Sequence, residues 1–300
     1  MSKLCTLSEA VAANIQDGDC VYLAGFTHLI PFAAGHEIIR QGKKNLTLAR
    51  ATPDLIYDQM AAAGCASKLI FSYMGNPGVG SLKVLRRLIE SGKVAWEEYS
   101  HFGMITRLQA GAAGLPFLPM NLTAATDLEE RNPNYRRVSD PYTGKEVVVL
   151  PPLHPDAAVI HVQRADANGN AQIWGIIGEQ KEAAFAARRV ILTAEEIVDE
   201  AVIRSDPNRT LIPEFIVDAV CHVPGCAHPS YTQGYYDRDN EFYLNWDQVS
   251  ESDEAVRHYL EEWIYGVKDR AEYWQKLGPE THLRLQVAER LAAPVNYGSY

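Results

Sequence analysis

The chain has 300 residues, 47% of them hydrophobic, enough to bury one large core or two closely packed lobes. Its 38 acidic residues outnumber 28 basic ones for a formal charge of −10, which disfavours non-specific attraction to nucleic acid or to anionic lipid, so a polyanionic ligand would need local basic groups. No basic segment leads into a long apolar run at the start, and nowhere do about 18 uncharged apolar residues follow one another, so a cytoplasmic protein without a membrane partner is expected.

In chain order, Thr6-Leu7-Ser8-Glu9 has the form of a capping box and predicts a helix to Ile15, stopped near Asp17-Gly18. Cys20 to Phe26 reads as a buried strand, Phe32 to Gln41 as a helix closed by Gly42, and Leu46 to Ala51 as the next strand. The alternation continues with a helix at Leu55 to Ala63, a strand at Lys68 to Tyr73, a helix at Leu82 to Glu90 and a short strand at Trp96 to Tyr99. Such alternation implies an open, mostly parallel α/β sheet with helices on both faces. From Ala124 to Pro155 charge, proline and tyrosine predict an irregular excursion with one hairpin around Pro141 to Gly144. Strands resume at Ala157 to Val162, Ala171 to Ile173, Val190 to Thr193 and Phe215 to His222, with a hairpin turn at Asp166 to Asn170. After Asn240 the pattern is helical, so residues 1–240 are expected to form the α/β domain and 241–300 a helical extension packed on it.

Five cysteines with no C-x-x-C pair indicate neither a disulfide framework nor a zinc ribbon. Cys221, His222, Cys226 and His228 have metal-like content, but their spacing matches no standard zinc pattern and Val223-Pro224-Gly225 reads as a turn, so no metal is expected. No P-loop is present, and no G-x-G-x-x-G follows a predicted strand. Gly25-Phe26-Thr27-His28 follows the first strand, where a parallel sheet presents its ligand-binding edge. Its amides could face an oxyanion, or the segment could be an ordinary strand-to-helix turn. Ser72-Tyr73-Met74-Gly75-Asn76-Pro77-Gly78 holds the corresponding place after a later strand and reads equally as a carboxylate cradle or a tight turn. Alternation along Glu97-Glu98-Tyr99-Ser100-His101 would put Glu97 and His101 on one face, though adjacent glutamates also mark a solvated edge. The small residues of Ala110 to Gly114 would let a helix end approach another backbone closely, with Pro116 forcing an exit.

Taken in order, these segments resemble the alpha subunit of family I coenzyme A transferases, especially the longer glutaconate-type chain. The resemblance is carried by Asp17-Gly18-Asp19 leading into Ala24-Gly25-Phe26, then Ser72-Tyr73-Met74-Gly75-Asn76, Arg107 through Pro116, Asp156 to His161, Ala165 to Ala171, Glu195 to Val198 and Val223 to Pro229. It implies the fold shared by coenzyme A transferases and sugar-phosphate isomerases, and a two-subunit enzyme, α2β2 or larger. It also implies a coenzyme A thioester and a free carboxylic acid as substrates, with no permanently bound cofactor. In that family the nucleophile that opens the thioester is a glutamate of the beta subunit, which becomes a glutamyl-CoA, so no nucleophile is expected in this chain. Gly25, Phe26, Thr27, His28, Ser72, Met74, Gly75, Asn76 and Gly78 would line the acid end of the site, with Glu97 and His101 as auxiliary groups. In related ring-opening CoA-ester hydrolases, an essential glutamate of the alpha subunit falls near the position of His101. A hydrolase of a cyclic or β-dicarbonyl CoA ester, or a non-catalytic ligand-binding α/β protein, are the alternatives.

Overall fold

In the computed structural model, which describes residues 2–76, 80–120 and 126–287, nine strands form one sheet. They are β1 (Cys20–Leu23), β2 (Leu46–Ala49), β3 (Ala66–Phe71), β4 (Ala95–Glu98), β5 (Ala157–Ala165), β6 (Ala171–Gln172), β7 (Val190–Ile197), β8 (Thr210–Ile212) and β9 (Ala219–His222). Seven run parallel in the order β9-β7-β5-β1-β2-β3-β4, with Val21 of β1 opposite Ala157 on one side and Leu48 on the other. All their carboxyl ends therefore share one edge. The short β6 and β8 are antiparallel additions, β6 pairing with the far end of β5 through the tight turn at Asp166 to Asn170, where Asp166 Oδ1 accepts the amides of Asn168, Gly169 and Asn170.

Side chains alternate between two cores, as the pleat of a strand requires. Val21, Leu23, Val159 and Ile191 point to one face, where they meet α1 (Leu7–Asn14), α2 (Phe32–Arg40), α3 (Leu55–Ala62) and α4 (Lys83–Glu90). Tyr22, Ala158, Ile160 and Leu192 point to the other, where α5 (His101–Ala112) and α6 (Gln180–Ala186) cover them. The capping box of α1 forms as expected: the Thr6 hydroxyl accepts the Glu9 amide and the Glu9 carboxylate accepts the Thr6 amide at 2.9 Å.

Two regions differ from expectation. The excursion before β5 is an antiparallel sheet of Leu118–Met120, Arg136–Ser139 and Glu146–Leu150, because the hairpin at Pro141 to Gly144 lets the β-branched run Val147-Val148-Val149 pair on both sides. The short strand predicted to reach Tyr99 ends at Glu98, and His101 opens the twelve-residue α5. The C-terminal helices α7 (Asn240–Val249), α8 (Asp253–Leu260) and α9 (Arg270–Arg284) pack on the α/β body. Tyr243, Trp246, Tyr259, Leu260 and Ile264 belong to the same core as α2 and α3, and Trp246 Nε1 donates to the buried Asp58 at 3.1 Å.

Candidate active site at the carboxyl edge of the sheet

The loop after β1 is shaped by backbone that only special residues tolerate. Gly25 has φ +135°, and a Cβ there would lie 2.7 Å from the His28 carbonyl oxygen. Thr27 and Leu29 adopt left-handed φ of 54° and 57° without being glycine, strain that a loop retains when its surroundings dictate it. Those surroundings are visible. Both ring nitrogens of His28 are spent on backbone, Nδ1 on the Ile176 carbonyl at 2.9 Å and Nε2 on the Gln233 amide at 3.0 Å. Since Nε2 accepts, the ring is neutral with its proton on Nδ1, and burial pushes its pKa down to about 4. His28 is thus a brace of the loop.

A second brace lies beneath. Arg50, immediately after β2, is 1% exposed and its Nη2 donates to the Gly25 carbonyl at 2.6 Å. In a planar trans peptide the Phe26 amide then points the opposite way from that carbonyl. Arg50 Nε and Nη1 meet no acceptor among the described residues, and the buried carboxyls Asp54 and Glu179 are pushed up by burial and pulled down by this guanidinium.

Facing the loop is a chain of polar side chains drawn from three strand ends. Ser72, after β3, donates its hydroxyl to the Ala51 carbonyl at 2.6 Å. His101 Nδ1 lies 2.7 Å from Ser72 Oγ, and His101 Nε2 lies 2.7 Å from Oγ1 of Thr52, the residue three beyond β2. The Phe26 ring meets the His101 ring edge to face at 6.5 Å. Ser100 caps α5 by accepting the Gly103 amide at 2.9 Å, which fixes His101 at the positive end of the helix. Burial lowers the His101 pKa, so the imidazole is neutral at pH 7.

Of the residues singled out from sequence, Gly25, Phe26, Thr27, His28, Ser72 and His101 gather here. Met74 is half-buried against the α1–α4 core, and Gly75 and Asn76 form a two-residue ladder with Gly80 and Ser81. Gly78 lies outside the described residues. Glu97 does not share a face with His101, because β4 stops before the alternation reaches it. Its carboxylate pairs with Lys68, accepts from the Tyr99 hydroxyl at 2.8 Å and lies 3.6 Å from Arg107. Burial opposes its ionisation, but these partners hold its pKa below the usual value. Thr52 and Arg50 belong to no motif and stand out only by position, since each follows a parallel strand at the ligand-binding edge.

The residues from 5 to 222 match the coenzyme A transferase family. The alpha subunit of the 3-oxoadipate CoA-transferase of Pseudomonas knackmussii is 50% identical over 92% of this chain and 99% of its own length. The glutaconate CoA-transferase of Acidaminococcus fermentans superposes with a TM-score of 0.90 at 35% identity, covering 96% of both chains. The decarboxylase AibA/AibB superposes at 0.75 with 31% identity, covering 87% of this chain and 99% of its own. With its parallel sheet, its polar edge and these relatives together, the chain belongs to the coenzyme A transferase family, as an alpha subunit.

Proposed function

We propose that this chain shapes the acid end of a site in which coenzyme A moves from an acyl-CoA to a free carboxylic acid through a glutamyl-CoA thioester on the partner subunit. The observation that carries this reading is the state of the carboxylates around the edge. Glu97 is tied to Lys68 and Tyr99, the buried Glu179 accepts from Tyr22, and the buried Glu195 is held by His161 and Tyr236. At that edge there are donors for an oxyanion, and the carboxylates of Glu97, Glu179 and Glu195 are already engaged.

The partner's carboxylate would attack the thioester carbonyl and expel the CoA thiolate, leaving a mixed anhydride. The thiolate would then attack the glutamyl carbonyl and release the donor acid. The acceptor acid reverses both steps. Each attack places negative charge on a carbonyl oxygen, and the Phe26 amide, backed by Arg50 on the Gly25 carbonyl, is oriented to receive it. The identity to the 3-oxoadipate enzyme over nearly its whole length favours a 3-oxo dicarboxylic acid as acceptor. The test is to co-produce the chain with its beta partner and treat the complex with an acyl-CoA and borohydride or hydroxylamine. A mass shift on the partner's glutamate is expected. Release of CoA from the thioester with no trapped adduct would instead identify a hydrolase, the second reading, and sink the transfer mechanism.

A further inference from the structure

The hydrogen bonds around His101 have only one consistent direction. The Ala51 carbonyl can only accept, so the single hydroxyl hydrogen of Ser72 is committed to it. Ser72 Oγ must then accept from His101 Nδ1, which carries the proton of the neutral ring. His101 Nε2 is left as an acceptor, and the Thr52 hydroxyl donates to it. In this state Thr52 presents only lone pairs to a ligand, a poor match for a carboxylate. A second proton on the ring can go only to Nε2. It reverses the last bond, with Nε2 donating to Thr52 Oγ1 and the Thr52 hydrogen set free, and it needs no heavy atom to move.

We propose that the Thr52–His101–Ser72 array binds the carboxylate of the acid substrate with uptake of one proton from solvent, Thr52 donating to the carboxylate oxygen and His101 supplying the positive charge. Thr52 keeps a 9% exposed edge and His101 beside it is exposed. Three of the charged and titratable groups near the ring have partners of their own. From β4 Glu97 pairs with Lys68 and Arg107, from the β2 end Arg50 holds Gly25, and the Tyr135 hydroxyl accepts the Ser100 amide at 3.1 Å. Burial alone shifts the ring, with no charge from Glu98 or Tyr73 bearing on it, and the loop after β1 brings Phe26, which does not titrate. His101 therefore supplies the proton-linked charge for an arriving anion.

This inference rests on the transferase reading, and the experiment separates the two. Adipate, a dicarboxylate without the reactive 3-oxo group, is titrated into the assembled two-subunit enzyme by calorimetry, in two buffers of different ionisation enthalpy between pH 7 and 8.5. About one proton taken up per adipate is expected, with the Kd rising about tenfold per pH unit between the pKa of the free ring and that of the bound state. The 13Cε1 resonance of His101 should move from its neutral to its protonated position on binding. Thr52→Ser should keep the uptake, whereas Thr52→Val and His101→Gln should abolish it. Adipate binding without proton uptake, uptake that survives in Thr52→Val, or no binding to an enzyme that transfers CoA would each overturn the proposal and leave the transferase reading standing. An enzyme that binds adipate with uptake yet forms no glutamyl-CoA would overturn the reading of function instead.

Discussion

Gly25 shows how far a single residue controls the edge. Its φ of +135° and the two backbone oxygens within 2.8 Å of any added Cβ leave alanine no conformation that keeps the peptide in place. Gly25→Ala should therefore turn the Phe26 amide away from the site. In the assembled enzyme kcat is expected to fall by about 100-fold or more, with a smaller change in KM. An enzyme with near-normal kcat would show that the loop is not the oxyanion donor. A different residue-scale device lies between β5 and β7. His161 Nε2 lies 2.8 Å from Glu195 Oε1 and its Nδ1 lies 3.0 Å from the Thr193 carbonyl, so both nitrogens face acceptors and the ring holds two protons. Burial opposes that charge, but the Cys226 sulfur, itself drawn toward the thiolate by His161, and the Glu195 carboxylate outweigh it and raise the pKa to about 10. A folded pKa above the unfolded value of about 6.5 stabilises the fold fully below that value, and the gain is lost as pH rises toward 10. Urea unfolding should show the native chain losing up to about 1.4 kcal/mol per pH unit between pH 7 and 9.5, relative to His161→Gln. Equal slopes for the two would mean that His161 and Cys226 together take up no net proton on folding.

At the scale of elements, what was legible in the sequence followed from local chemistry, and what was not followed from distant contacts. The capping box of α1, the alternation of β1, α2, β2 and α3, and the Asp166 to Asn170 turn are each fixed by residues within a few positions of one another. The start and length of α5 were hidden, although its end was legible at Ala110 to Gly114, because His101 to Ala112 contains Gly103, Gly111 and the β-branched Ile105 and Thr106, all poor helix formers. The available signal was Ser100, a cap residue, ahead of Met104 and Leu108 four apart. Glycine in that helix is explained by packing: a Cβ on Gly111 would sit 2.4 Å from the Leu153 carbonyl oxygen and 3.1 Å from Ala186. The small-residue run Ala110 to Gly114 thus does what its composition suggested and brings backbone against backbone. Gly111→Ala should push α5 off the strand connection and lower stability by about 2 kcal/mol in spite of alanine's better helix propensity. Thermal unfolding measures it, and an increase in Tm would mean the helix can shift at little cost. The pairing of Thr52 with His101, 49 positions apart, depends on strand order, which no local pattern encodes.

For the whole molecule, the sheet leaves its carboxyl edge ringed by apolar side chains that the described residues do not cover. Phe26 is 37% exposed, Tyr73 51%, Phe102 58% and Ile177 48%, and they surround the polar chain from Thr52 to Ser72. An apolar collar about a polar centre is the pattern of an interface that must also exclude water from its chemistry. The related alpha chains come from two-subunit enzymes, so the cover is assigned to a beta partner, and the proposed transfer mechanism would then require that partner's glutamate over Gly25 and His101. Phe102 allows this to be tested without harming the fold. It stands in the first turn of α5, beside the cap Ser100, where a carboxylate is favoured by the helix dipole. Phe102→Asp should therefore leave the Tm of this chain unchanged or slightly raised. At the interface the same carboxylate would have to be desolvated, at a cost of about 2 kcal/mol or more, which corresponds to roughly 30-fold weaker assembly. Co-purification with the tagged beta partner and sedimentation of the mixture read the effect directly. Full assembly of the Phe102→Asp chain would place that partner on another face, and its glutamate could then not reach this edge.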